Sequence, residues 1–158
     1  MSLKLIVANW EPPAETDKRL LNSHIFWQPL LTEGDSPYRR DFKPTAMRGL
    51  LPYMFLVDVL RNPCDFRFRL TGSEFKDGSG QDLTGRLISE AFPPDFYKEV
   101  QQEWGLVVET RQPKWGRGRL WVKERDYVTW EGVVMPFQND NSEIHQLLGA
   151  AVFHLDEA

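Results

Sequence analysis

The chain has 158 residues, 41% hydrophobic and 27% charged, with a net charge of −4, enough for one domain with its own core and cramped for two. The acidic balance offers no basic field for nucleic acid or an anionic membrane, and a single cysteine, Cys64, excludes an internal disulfide framework. No stretch approaches the ~18 apolar residues of a membrane span, and Glu11-Pro12-Pro13 interrupts the apolar start too early for a signal peptide, so a soluble, cytoplasmic protein is expected.

Leu3 to Ala8 reads as a short strand, ended by Pro12-Pro13. From Thr16, Leu20, His24, Trp27 and Leu31 recur at helical spacing with Leu21 and Ile25 beside them, which predicts an amphipathic helix of about four turns. His24 on its apolar face reads as a packed histidine rather than a ligand. After the loop Glu33-Gly34-Asp35-Ser36-Pro37 and a charged segment, Pro44 is placed to begin a short helix over 45–51. Residues 53–60 are apolar on both faces, as in a strand covered on both sides, with the N-terminal helix as the obvious cover.

Arg61-Asn62-Pro63-Cys64 turns the chain into a hairpin partner, Asp65-Phe66-Arg67-Phe68-Arg69-Leu70-Thr71-Gly72. Its alternation sends Phe66, Phe68 and Leu70 to a core and Arg67, Arg69 and Thr71 away from it. Gly72 stops the strand, and Asp82 and Thr84 offer oxygens to cap a short helix. Pro93-Pro94-Asp95 opens a long helix with a stripe of Phe96, Val100, Trp104, Val107 and Val108, closed by Gln112-Pro113. Three strands follow, 115–122, 127–137 and 144–155, with turns at Lys123-Glu124-Arg125-Asp126 and Gln138-Asn139-Asp140-Asn141-Ser142.

Two strands, a helical middle and three strands is the order of a PAS domain, an α+β fold with a five-stranded antiparallel sheet and helices on one face. The residues resemble more narrowly a bacterial PAS-like family, typical of alphaproteobacteria, of small proteins without a settled activity. The resemblance covers Trp27 to about Phe153. It rests on Arg40-Asp41-Phe42-Lys43-Pro44, Leu51-Pro52, the run from Phe66 to Gly72, and Gly80-Gln81-Asp82-Leu83-Thr84-Gly85-Arg86. Trp130-Glu131 and Val134-Met135-Pro136-Phe137 agree more loosely. The resemblance implies a sensory or protein-interaction fold and transfers no catalytic set. Residues 1–44 then form an N-terminal extension carrying the flanking helix, and 45–158 the PAS-like domain.

Several side chains invite chemical readings. Arg69 either pairs with Asp82 across a short loop or holds an anionic ligand group in a two-pronged fork. Gly72 and Gly85 read as tight backbone turns. Basic residues from Arg111 to Arg125 interleave with Trp115 and Trp121, a pattern that can bind single strands. However, Trp115, Arg117, Arg119 and Trp121 share one strand face, ordinarily a solvated outer one. The three histidines lack metal-ligand spacing. The long helix holds no histidine of the kind haem-binding PAS domains use, and Cys64 precedes a strand rather than lying in a flavin-reactive helix.

The expectation is therefore a single-domain sensory module with no cofactor, binding a small molecule, a protein partner or both, without nucleic acid or membrane. Its ligand residues would be Phe68, Arg69, Phe75, Trp104 and Trp130, the four rings meeting between the long helix and the inner sheet face. A homodimer through Leu20, Leu21, Trp27 and Leu31 of the first helix is expected by analogy with PAS-like domains. The alternatives are a small enzyme using Asp58, Glu131 or a histidine as base, and a purely structural interaction module with a filled core.

Overall fold

The doubly apolar run after Pro52 becomes strand β2, Met54–Leu60, inside an antiparallel sheet with helices packed on both sides. The structure, a computed structural model, describes residues 2–31, 33, 35–61, 64–122 and 125–155, with side chains described for all of these except 2–8, 120–122, 125–127 and 155. The other strands are β1 (Ser2–Asn9), β3 (Asp65–Thr71), β4 (Lys114–Val122), β5 (Arg125–Gln138) and β6 (Ile144–Leu155). The helices are α1 (Lys18–Trp27), α2 (Ser73–Ser79), α3 (Ile88–Ala91) and α4 (Pro94–Thr110). Spatial order in the sheet is β1-β4-β5-β6-β2-β3. The expected five-stranded sheet is present, and β1 extends it by pairing with β4 from Ser2 opposite Trp121 to Asn9 opposite Trp115.

Alternation along β2 feeds two cores. Phe55 and Val57 join Phe66, Phe68, Phe75, Phe96 and Val107 under α2, α3 and α4. Met54 and Leu56 join Leu20, Trp27, Met47, Met135 and Phe137 under α1 and the adjoining 3-10 turns. The first helix is thus the cover of the second face, as its apolar stripe demands. Its Trp27 also donates from Nε1 to the carbonyl of Pro136 at 3.1 Å, satisfying the polar tip of a buried ring.

Polar contacts fix the start of α1. Asp17 caps it, accepting from the Arg19 amide at 2.8 Å. The Arg19 guanidinium grips the same carboxylate at 2.9 and 2.8 Å. That grip outweighs the opposing effect of burial and holds the Asp17 carboxyl down to about 2. The Asp17 amide donates to Glu131 on β5 at 2.6 Å, and Glu131 meets His154 of β6 at 3.1 Å.

Several expectations change on the sheet's far edge. The β2–β3 register passes from Leu56 opposite Leu70 to Val57 opposite Phe68, leaving Arg69 as an extra residue. A bulge reverses the alternation beyond it, so Leu70 is 59% exposed instead of lying in the core with Phe66 and Phe68. No helix starts at Asp82: its Oδ1 accepts from the Thr84 amide at 3.1 Å and closes a turn. Gly85 at φ +86 takes the chain off a helical path, and α3 begins only at Ile88. Gly85 and Arg86 instead bond to Phe68 of β3, through Gly85 N to Phe68 O and Phe68 N to Arg86 O. That segment shields an otherwise open strand edge.

Gly72 has negative φ and is required for another reason, since a Cβ there would lie 2.3 Å from the Leu51 carbonyl oxygen. The expected helix over 45–51 forms as two 3-10 turns, Pro44–Met47 and Leu51–Tyr53. Phe42, from the Asp-Phe-x-Pro run, packs on Phe137 with centroids 5.3 Å apart. In the expected turns, Asn62, Pro63, Lys123 and Glu124 lie outside the described residues.

Trp115 is also corrected. It is 3% exposed within the second core, with the His24 ring edge-on at 5.6 Å, and Arg117 donates to the Ala14 carbonyl at 2.7 Å. The N-terminal segment covers this strand face at Trp115 and Arg117, whereas Arg119 is exposed and the Trp121 side chain lies outside the described ones. Burial pushes the His24 imidazole below its ordinary range, which keeps it neutral among these rings.

Gly149 lies directly opposite Phe55 in the β2–β6 register. A Cβ at 149 would come within 2.0 Å of the Phe55 ring, which Phe75 at 4.7 Å and Trp104 at 5.7 Å hold in place. Gly149→Ala is expected to lower unfolding stability by about 1–3 kcal/mol, the cost of overpacking, with part recovered by adding Phe55→Leu. Urea unfolding of the single and double variants measures both.

Candidate functional site

The first core does not close completely. A cavity of about 120 Å³ lies between α4 and the inner sheet face, with α2 and Phe92 at its side. Its walls follow from strand and helix periodicity. Phe55 comes from β2, Phe68 from β3, Trp130 from β5, and Ala151 and Phe153 from β6; Phe75 comes from α2, and Phe96, Val100 and Trp104 from successive turns of α4. Apart from the stacked pair Phe55–Trp104, the rings meet edge-on or tilted. Trp104 stands edge-on to Phe66 at 5.3 Å and Phe96 edge-on to Trp130 at 6.3 Å, arrangements that suit aromatic quadrupoles.

Polar groups at the cavity are few. Glu103 of α4 and Lys114 of β4 both line it and form an ion pair with each other. The Lys114 ammonium also lies 4.5 Å from the centre of the Trp10 ring. Ser79 donates towards the carbonyls of Lys76 and Gln81 at 3.2 and 3.1 Å. Trp130 Nε1 is buried and has no hydrogen-bond acceptor among the described residues. An unpaired buried donor carries a desolvation cost that a neighbouring acceptor would relieve.

Four of the five expected site residues, Phe68, Phe75, Trp104 and Trp130, are brought together on this cavity. Arg69 is not. It lies at the bulge and donates from Nε to both oxygens of Asp58 at 3.0 Å, rather than to Asp82. Asp58 also accepts from Gln146 at 2.8 Å. Burial raises the Asp58 carboxyl, but these bonds prevail and hold it below its ordinary range. Asp82 turns instead to Lys76, Thr71 and Thr84.

Phe55, Phe153 and the Glu103–Lys114 pair were missed in the sequence. Alternation through Phe55-Val57 and Ala151-Phe153 carried the signal for the two rings. A carboxylate one residue before Trp104, next to an otherwise apolar stripe, was the signal for Glu103. Neither Asp58 nor Glu131 lines the cavity, and both are held by neighbours. Among the described residues no three His, Cys, Asp or Glu side chains could hold a metal ion, and no helix is long and apolar enough to cross a membrane.

A family model described as a PAS domain matches residues 16–152. The structure titled "Structure of an RNA-binding Light-Oxygen-Voltage Receptor" is similar at 14% sequence identity, with a TM-score of 0.47 over 78% of this chain. The chain spans 37% of that protein. No curated protein matches the sequence.

An open wall and a filled core respond differently to truncation. Trp104→Ala is expected to cost about 2 kcal/mol, below the ~3–5 kcal/mol of a large ring in solid packing, whereas Phe66→Ala, fully buried, should cost that larger amount. Thermal or urea unfolding of both variants measures the contrast.

Proposed function

The chain belongs to the PAS domain family, and from that premise we propose that it is a bacterial, cytoplasmic sensory module whose input is a small molecule held in the cavity under α4. The observation that carries this reading is the aromatic-walled space of about 120 Å³ at the centre of the first core. Interiors are ordinarily close-packed, and binding sites are concave, mostly apolar and sparing in polar groups. The rings reach the cavity from both the sheet and α4, so a guest touches the two layers at once and can bias their packing. Residues 1–44 serve as an extension laid on the PAS-like domain of 45–158.

Benzene, as a minimal apolar guest, tests occupancy. At concentrations well above its dissociation constant it should raise the melting temperature by a few degrees. Ala151→Leu, which grows a wall residue into the space, should abolish that rise while the variant stays folded. No rise in the wild type, or an equal rise in the variant, removes the reading.

Output passes to a protein rather than to nucleic acid, and the partner we propose is a second copy of the chain. Leu20 and Trp27, expected at a dimer face, are 1% and 3% exposed within their own core. The available surface of the helical segment is Ile25, Phe26 and Leu31, at 59%, 46% and 37% exposed. Light scattering should find a dimer that Phe26→Asp converts to a monomer. An intact protein that is monomeric at high micromolar concentration ends this part of the proposal.

A further inference from the structure

We infer that the outer face of the β2–β3 hairpin is a docking surface for an acidic segment of another protein, with Arg61 and Arg67 receiving its carboxylates and Leu70 an aliphatic side chain. The inference is independent of the cavity and adds a partner of a different kind from a second copy. Strand register builds the surface. Leu70 lies opposite Leu56 and Arg67 opposite Asp58, and residues directly opposite each other share a face of the sheet. Leu56 belongs to the second core, so Arg67 and Leu70 stand on that side, where α1 packs on β5 and β6. Arg67, Arg69 and Leu70 are all exposed there.

Positive charge gathers on this patch. Arg61, exposed at the end of the hairpin, donates to the Ile144 carbonyl at 3.0 Å. Arg39 lies over the Phe42 ring, 5.4 Å from its centre. Both are close to His145. Burial pushes the His145 imidazole below its ordinary range, and the charges of Arg39 and Arg61 act the same way, while a backbone bond to Phe137 and the charge of Asp58 oppose them. Asp58 is already occupied by Arg69. Arg67 donates to the Gly85 carbonyl at 3.0 Å, and Arg39, Arg61 and Arg67 have no carboxylate partner among the described residues. Guanidiniums bonded only to carbonyls keep donors for a two-pronged carboxylate contact. The charge of the whole molecule selects the occupant. At a net −4, a short acidic segment matches the patch, whereas RNA or an anionic membrane surface runs on beyond it into repulsion. A second copy seated here across a two-fold axis sets like charges against each other. Leu70, beside Arg69, gives the segment an apolar contact among its charged ones.

Random dodecapeptides displayed on phage and selected on the full chain supply the probe. The enriched peptides should carry several Asp or Glu with an aliphatic residue among them. By fluorescence anisotropy, a synthetic copy of the most enriched peptide should bind about tenfold more weakly to Arg67→Glu, and high salt should weaken its binding to the wild type. Lys98→Glu, the same charge change on an exposed position of α4, should leave affinity within about twofold. Enrichment without acidic residues, or equal losses in the two variants, overturns the inference. An oligo-uridine or a phosphatidylserine vesicle that binds more tightly than the peptide, with the same loss in Arg67→Glu, overturns it in favour of nucleic acid or membrane. Conversion of a dimer to a monomer by Arg67→Glu in light scattering overturns it in favour of a second copy. Amide resonances of the wild-type protein decide the matter even if the variant does not fold. Titration with the peptide should move those of Arg61 and of residues 66–71, and shifts confined to other elements overturn the inference. The outcome with benzene stands apart from all of these.

Discussion

Strand β2 is buried on both faces, and the rest of the structure depends on that constraint. Its alternation places Met54 and Leu56 in one core and Phe55 and Val57 in the other. A sheet with an interior strand that is apolar on both sides cannot leave either face to water there. Helix α1 and the 3-10 turns must close one side, and α2 to α4 the other. The segment before β2 is therefore structural cover as well as a flank, and its position is enforced twice. Trp27 reaches the Pro136 carbonyl, while the capping residue Asp17 is bonded through its amide to Glu131.

The two cores are not packed alike. The second mixes aliphatic and methionine side chains with Trp27, Phe42, Trp115 and Phe137. Large rings dominate the first, and their edge-on contacts leave a central space. Gly149 makes this arrangement possible, because only a residue without Cβ lets the Phe55 ring lie across the neighbouring strand. With Phe55 there, Trp104 stacks on it and Phe75 meets it at a tilt, and the cavity opens beyond them. A backbone detail on β6 thus sets the shape of a site built mainly from α4 and the inner sheet face.

Polar anchors sit outside the cavity and stiffen its frame. Arg111, which ends α4 in the left-handed region at φ 61, bonds Asp35 at 2.7 and 3.1 Å, the Ser142 carbonyl at 2.9 Å and Gln138 at 3.2 Å. One side chain so ties the end of the cavity's helix to the loop after α1 and to the β5–β6 turn. A charge-assisted, bidentate contact of this kind fixes geometry as well as energy. The Arg69–Asp58–Gln146 chain does the same across β3, β2 and β6.

Element type and order, and the identity of four cavity rings, were legible in the sequence because hydrophobic period is a local property. Stripes at helical spacing gave α1 and α4, a run apolar on both faces gave β2, alternation gave β3, and the turns between them marked off β4 to β6. What failed needed knowledge of a partner. Leu70 follows the alternation of β3 perfectly, yet a bulge set by pairing with β2 turns it outward. Arg69 has two carboxylates within plausible reach along the chain, and the register of β2 against β3, not loop length, chooses Asp58. Trp115 looks like a solvent-facing ring until the N-terminal segment folds over it. The cavity is the least local feature of all, a residue of volume left when rings from four strands and two helices have taken their places. Periodicity tells which side chains face inward; only the tertiary structure decides whether together they fill the space they enclose.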